Sequence, residues 1–306
     1  MPLVSERELL DDARARGYAI PGLFPFDMDT IKIIIDAAEE AHSPVIILQG
    51  PEFIEDFGPE IFTAAVKAAA HTSNVPVGIA VDHTFRIDDK TFPRLMKCIH
   101  LGWKSIMIDG SLLPYEENVR ITKEIARICH AAGVACCAAL GEVKRFFPGV
   151  KDQTEYFHDD FIVTDDLKTD PEQAREFVNL TKVDSLAISI GQYVRSLWEK
   201  ETLPIKRVAR LDFDRLHAIR SLTDVHLILH GSTYVDIDDL TRAAGEGISE
   251  IKAATEYGII WSTEIRDTLV QNPALMFPID IQKPALQKTK ETMVFYMHAF
   301  KSAGKA

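Results

Sequence analysis

The 306-residue chain is poor in cysteine, short of positive charge, and without long apolar runs. Each lack excludes something. No segment approaches the roughly 18 uncharged apolar residues of a membrane helix, so no membrane partner is expected. The opening MPLVSERELLDDARARG is charged and amphipathic and has no apolar signal core; the expected location is the cytoplasm. The four cysteines, Cys98, Cys129, Cys136 and Cys137, lack zinc-ribbon spacing, and adjacent residues rarely bridge. They read as buried thiols in a reducing compartment. Lys and Arg number 34 against 46 Asp and Glu, a formal charge of −12. That balance argues against nucleic acid or an anionic membrane surface as partner, but leaves room for an anionic metabolite in a locally positive pocket. No strand-like run leads into G-x-G-x-x-G, so the dinucleotide fingerprint of an open doubly wound sheet is missing. There is no internal repeat beyond strand–helix alternation, and no low-complexity segment.

What is present is alternation from end to end. Apolar strand-like runs fall at Tyr18–Leu23, Pro44–Gln49, Val75–His83, Ser105–Gly110, Gly133–Gly141, Ser185–Gly191, His226–Gly231 and Ile248–Thr255. Helical periodicity fills the gaps. Thr30–Ala41 places Ile31, Ile34, Ile35 and Ala38 on one face, Tyr115–Ala132 follows a proline, and Pro171–Leu180 has Asp170 as its N-cap. Eight such units over about 250 residues predict a (β/α)8 TIM barrel, an α/β fold in one domain over residues 1–306. Two long segments break the rhythm. Glu142–Leu167 holds Arg145, Phe146, Phe147, Tyr156, Phe157 and His158, and Gln192–Leu211 holds Arg195, Trp198, Lys206, Arg207 and Arg210. Both follow strand C-terminal ends, where barrels keep substrate loops. Residues 272–306 form a helical extension whose Met293, Val294, Tyr296, Met297 and Phe300 predict packing on a neighbouring subunit, hence a homo-oligomer.

The polar residues that end the strands are the candidate site. Asp82-His83 closes the third, Asp109-Gly110-Ser111 follows the fourth, His230-Gly231-Ser232-Thr233 the seventh, and Lys252 to Thr255 the eighth. A carboxylate beside an imidazole can move protons while the imidazole binds a metal or an oxyanion. Period-2 alternation puts Glu250, Lys252 and Ala254 on one strand face, with Lys252 pointing into the barrel near its mouth.

These motifs make the chain resemble the class II ketose-bisphosphate aldolases, zinc-dependent barrels that cleave fructose- or tagatose-bisphosphate. The resemblance runs through Gly17-Tyr18-Ala19-Ile20-Pro21, AAEEAHSPV at Ala37–Val45, Val81-Asp82-His83 and MIDGSLLPYEENVRITK at Met107–Lys123. It continues in Leu211-Asp212-Phe213-Asp214-Arg215-Leu216, Leu229-His230-Gly231 and the C-terminal Ser302-Ala303-Gly304-Lys305-Ala306. It implies an aldehyde-lyase with Asp82 handling the hydroxyl proton and His83 and His230 as zinc ligands. It further implies an anionic ketose or sugar phosphate held at Gly231, Thr233 and Thr255. Arg195 stands where the family uses a glycine and adds a possible bidentate grip on the anion.

The sequence departs from the family at the site itself. The third ligand histidine is replaced by Val194, and the Glu of the fifth strand by Ala139. Catalytic zinc takes three protein ligands and one open position, so zinc stays open as a cofactor, with Glu142 or Cys137 as substitute ligands. The family Asn after the eighth strand is Lys252, and two further Asn positions are Phe24 and Phe26. Lys252 either forms a Schiff base that takes over the electron-sink role, is held in an ion pair by Glu250 or Asp109, or reaches a substrate phosphate as a fixed cation. Three functions remain in view. They are retro-aldol cleavage through Asp82 and Lys252 or a residual His83/His230 metal site, a non-catalytic sugar-phosphate-binding subunit, and a metal-independent isomerase or epimerase.

Overall fold

The computed structural model describes residues 3–51, 58–146, 163–195 and 203–306. All eight anticipated strand regions form strands: β1 (Ile20–Leu23), β2 (Val45–Gln49), β3 (Val77–Thr84), β4 (Ser105–Ile108), β5 (Ala135–Leu140), β7 (Ser185–Ile188), β9 (His226–Leu229) and β10 (Ile248–Ala253). They close in the order β1-β10-β9-β7-β5-β4-β3-β2 with every pairing parallel. The fold is a (β/α)8 barrel. Two further short strands, β6 (Arg145–Phe146) and β8 (Val194–Arg195), form a separate parallel pair with Arg145 opposite Val194. That pair links the segments after β5 and β7 above the barrel.

The helices follow the sequence signals. Helix α1 (Glu6–Arg16) has a Ser5/Glu8 capping box and ends at Gly17, and α2 (Met28–Ala41) has an Asp27/Thr30 box. Helices α3 (Pro59–Thr72), α4 (Thr91–His100) and α5 (Tyr115–Ala131) succeed β2, β3 and β4. Helix α6 (Pro171–Thr181) starts as expected, the Asp170 carboxylate accepting from the Gln173 amide at 2.8 Å. Helices α7 (Phe213–Leu222), α8 (Ile237–Glu246), α9 (Thr255–Gln271) and α10 (Pro278–Ala299) complete the set among the described residues.

Outward-facing strand residues such as Ile47, Ile79, Ile106, Leu186 and Leu227 join the helix faces in one core. All four cysteines are buried and free. Helix α1 packs on β10, β3, β1 and β9 at the strand starts, the Val4 amide donating to the Val77 carbonyl at 2.9 Å. It thereby plugs the end of the barrel opposite the candidate site.

The apolar face of the C-terminal extension turns inward rather than outward. Met293, Tyr296, Met297 and Phe300 are fully buried within the chain, with α10 packed against α9 and α2. The amide of Ala19 donates to the Phe300 carbonyl at 3.0 Å, which ties the tail to the start of β1. The hydrophobic surface was real, but it is covered by the chain's own helices, so these residues do not call for a neighbour. Leu269, Val270, Met276, Phe277 and Ile279, around the α9–α10 turn, and Phe295 on α10 are exposed.

Candidate active site

The mouth of the barrel encloses a cavity of about 510 Å³. Asp82, His83, His230, Lys252 and Arg145 line its polar side, and Phe24, Phe26, Leu48, Val194 and Ile259 its apolar side. The strand ends that looked chemically active from the sequence are therefore brought together.

A local irregularity explains how Asp82 and His83, adjacent in sequence, both reach the cavity. In a regular strand they would face opposite sides. Between Val81↔Ile106 and Thr84↔Ile108, β3 carries one residue more than β4, and His83 has a positive φ of 30°. Bulges of this kind re-aim side chains beside active sites. A non-glycine residue holds such a backbone only where its surroundings fix it. Here the fixing partner is Asp109, whose Oδ2 lies 2.7 Å from His83 Nδ1, while Ser111 Oγ donates to its Oδ1 at 2.6 Å. Asp109 thus holds the His83 imidazole on one oxygen and the Ser111 hydroxyl on the other. Burial disfavours the Asp109 charge, but His83, Arg145 and Ser111 outweigh it and hold the carboxyl well below its ordinary range.

Lys252 points into the barrel, as alternation along β10 requires. Its partner is neither Glu250 nor Asp109: Nζ donates to Asp82 Oδ1 at 2.7 Å and lies 3.6 Å from Met107 Sδ. Both side chains are nearly inaccessible, at 7% and 8% exposure, so the charges face each other in low dielectric. Burial pushes the Asp82 carboxyl up, but His83, Lys252 and His230 together bring it well below the carboxylate range. Burial likewise opposes the lysine charge, and Asp82 and Glu250 overcome it, raising the ammonium above the ordinary lysine range. Below the pair, both Glu250 oxygens are buried and unpartnered. Burial pushes that carboxyl up to about 8 against the pull of Lys252. Gly22 makes room for it, since a Cβ there would stand 2.4 Å from Glu250 Oε1 and 3.1 Å from Lys252 Cγ.

His230 packs against His83 with ring centroids 4.3 Å apart, and its Nε2 is buried without a hydrogen-bond partner. Burial, then His83 and Lys252, hold its pKa well below the usual histidine value, so it is a neutral imidazole. Gly231 follows in the left-handed region at φ 71°, and a Cβ there would meet the Tyr193 carbonyl oxygen at 3.0 Å. This close approach requires glycine.

The rim holds Gly231, Ser232, Thr233 and Thr255. Thr255 is the first residue of α9, whose start has no side-chain cap. An uncapped helix start presents unpaired N–H groups and the positive end of the helix dipole. Arg207 fastens the rim from behind. Its Nη1 donates to the Thr233 carbonyl at 2.7 Å, and its Nη2 is bonded to Glu256. The side chain of Arg195 lies outside the described residues, as do Phe147, Tyr156, Phe157, His158 and Trp198.

Arg145 was given no role from the sequence, because it belongs to no motif. Its Nη2 lies 3.0 Å from Asp109 Oδ2 and 3.1 and 3.3 Å from the two nitrogens of His83. Its guanidinium carbon stands 4.7 Å from the Phe85 ring centre. The available signal was an arginine shortly after the C-terminal end of a barrel strand.

A family profile described as "Fructose-bisphosphate aldolase class-II" matches residues 4–305. The chain belongs to this family. Among solved structures, the YdjI aldolase from Escherichia coli K12 is 29% identical, with a TM-score of 0.77 and 99% of each chain covered. A putative fructose-1,6-biphosphate aldolase from Coccidioides immitis is 25% identical, with a TM-score of 0.79 over 98% of this chain and 97% of that one. The fructose-bisphosphate aldolase of Campylobacter jejuni, 20% identical with a TM-score of 0.74 over 100% and 97% of the two chains, shares the fold. Family and neighbours make this an aldolase-type lyase. No helix among the described residues is long and apolar enough to cross a membrane.

Zinc is the metal associated with this aldolase family, and Asp82, His83 and His230 bring three donor atoms within 4.8 Å of one another. Glu142, one substitute ligand considered from the sequence, instead pairs with Lys144 at 2.7 Å. Cys137 is a buried thiol that burial pushes up. The three converging donors do not fit a divalent ion as arranged. Asp82 Oδ1 already accepts from the Lys252 ammonium. Arg145 Nη2 lies over the His83 ring, 3.1 and 3.3 Å from its two nitrogens, and sets a fixed positive charge beside the donors. Among the described residues His230 Nε2 makes no hydrogen bond, and Asp82 Oδ2 has only His83 Nε2 at 3.8 Å. A dication would sit beside two fixed cations with a single carboxylate among its donors, whereas catalytic zinc takes three free ligands.

Proposed function

We propose that this class II aldolase family member cleaves a phosphorylated ketose by a reversible retro-aldol reaction in which Asp82 moves the proton and Lys252 supplies positive charge. The observation that carries the reading is the buried Asp82–Lys252 pair, 2.7 Å apart, on the floor of a cavity rimmed by Thr233 and Thr255. The phosphate binds at Gly231, Thr233 and the start of α9, and Arg195 is positioned in the chain to add a second grip. Asp82 takes the proton of the hydroxyl on the carbon beyond the scissile bond. The C–C bond breaks, an aldehyde leaves, and the electron pair passes into the adjacent carbonyl to give an enediolate. Its negative oxygen is met by the Lys252 ammonium, a preorganised charge worth far more in a dry site than in water. The proton then returns from Asp82 to the enediolate carbon. As the ammonium turns towards the substrate oxygen its hold on Asp82 weakens, so the carboxylate gains basicity when it must accept the proton.

The ammonium reading replaces the Schiff base weighed from the sequence. A Schiff base needs the free amine, and the buried Asp82 carboxylate keeps Lys252 charged. Borohydride treatment during turnover of candidate ketose phosphates, read by intact mass, should leave the protein unmodified. An adduct on Lys252 would sink the ammonium role.

A second reading has its own support. A closed Asp82–Lys252 pair also suits a barrel that binds a sugar phosphate without turnover. It predicts a ligand-dependent rise in melting temperature and no aldehyde product. We also propose a homo-oligomer, now resting on exposed Val270, Met276, Phe277 and Ile279 and to be weighed by light scattering.

A further inference from the structure

We propose that Arg145 is the charge that stands in place of a metal ion in this site: its guanidinium lies against His83, one of the three donors a divalent cation would need, and presents its remaining N–H groups to the substrate's developing oxyanion. The guanidinium is held on three sides, by Asp109 at 3.0 Å, by His83, and by the Phe85 ring, which itself stacks on His83 at 5.4 Å with 4° between planes. Nη2 is fixed by Asp109 and His83, and the guanidinium plane by the Phe85 ring. The guanidinium cannot give up its proton in a protein and carries five donors and no acceptor, so it acts only as a cation and donor.

The backbone supports the same assignment. Val194, paired with Arg145 across β6 and β8, lines the same cavity and offers no ligand atom. The pair thus delivers one cation and one apolar side chain to the mouth. The local charge is already balanced. Asp82 faces Lys252 and Asp109 faces Arg145, so a dication would leave two uncompensated charges among half-buried groups. The unpartnered Nε2 of His230 then serves a substrate hydroxyl.

The oxyanion role rests on the retro-aldol reading; the exclusion of metal does not, and the experiment separates them. Cobalt(II) is titrated into the purified full chain and followed by its visible absorption, with zinc measured by mass spectrometry after dialysis. Wild type should bind no stoichiometric cobalt. Arg145→Gln should take up one per chain, and the Arg145→Gln/His230→Ala double variant should lose it. Arg145→Lys, which keeps the charge, should stay metal-free. Stoichiometric cobalt or zinc in wild type would overturn the proposal, and so would an Arg145→Gln protein, folded by circular dichroism, that binds none. Should the Gln variant misfold, Arg145→Met carries the same comparison. In turnover, Arg145→Gln should lower kcat about 100-fold or more, the usual loss for an oxyanion donor. If wild type cleaves no ketose phosphate, the retro-aldol reading fails while the cobalt result still decides the exclusion of metal.

Discussion

Replacing Lys252 with methionine tests the centre of the site. The change keeps most of the side-chain volume and deletes the ammonium, leaving Asp82 buried at 6% exposure without its 2.7 Å partner. Removing one member of a buried ion pair costs about 3–5 kcal/mol, because the surviving charge is desolvated and uncompensated. At roughly 2–4 °C per kcal/mol for a large domain, the melting temperature should fall by about 10 °C at pH 7. The pH dependence gives the sign. The Asp82 carboxyl is depressed in the native protein, so its contribution is present above the unfolded value near 3.8 and is lost as pH falls through the lower folded value. In the variant the carboxyl rises, and protonating it relieves the penalty. The difference between wild type and Lys252→Met should therefore be largest near neutrality and shrink towards pH 4. A second substitution, Asp82→Leu in the same chain, should recover much of the loss, since replacing both partners by apolar groups is often neutral. Thermal and urea melts across pH measure all three. An unchanged melting temperature for the single variant at pH 7, or a gap that widens with acid, would refute the buried-pair argument.

Three further outcomes are expected. Glu250, pushed up to about 8 from 4.5, keeps its proton in the native state where the unfolded chain has lost it, so stability should decline from pH 4.5 to 8; Glu250→Gln should flatten that decline in pH-resolved melts, and an unaltered slope would count against the shift. Arg207→Gln should loosen the loop carrying Thr233 and raise KM for a phosphorylated ketose about tenfold, equivalent to about 1.4 kcal/mol, with kcat little changed; a loss confined to kcat would contradict a rim-positioning role. Gly22→Ala should destabilise by about 1–3 kcal/mol through overpacking, because its Cβ would press on Glu250 Oε1 at 2.4 Å and Leu48 Cδ1 at 3.0 Å. A neutral result in urea denaturation would show that the barrel interior yields there.

The barrel was legible because its signals are local. Apolar runs ending in polar residues located every strand of the ring, and strand alternation alone turned Lys252 inward. The convergence of Asp82, His83, His230 and Lys252 followed from placing strand ends around one mouth. Partners across the barrel were not legible. Asp82 lies 170 residues from Lys252, and nothing near either residue distinguishes Asp82 from Glu250 or Asp109 as the pair. The extra residue in β3 was hidden because regular alternation cannot show that two adjacent side chains face one cavity. Arg145 carries no motif, and its role arises only where β6 pairs with β8. What covers the tail was not legible either: an apolar helix face shows that burial occurs, not whether the cover belongs to the same chain or another.

Hydrogen exchange on a three-carbon ketose phosphate tests the chemistry most directly. The purified protein, treated with chelator, is incubated in deuterated water with dihydroxyacetone phosphate, and label at the carbon next to the carbonyl is followed by NMR. Enediolate formation through Asp82 and Lys252 predicts steady incorporation by the chelated wild type and its loss in both Asp82→Asn and Lys252→Met. No exchange by wild type, or exchange that appears only after zinc is restored, would contradict it.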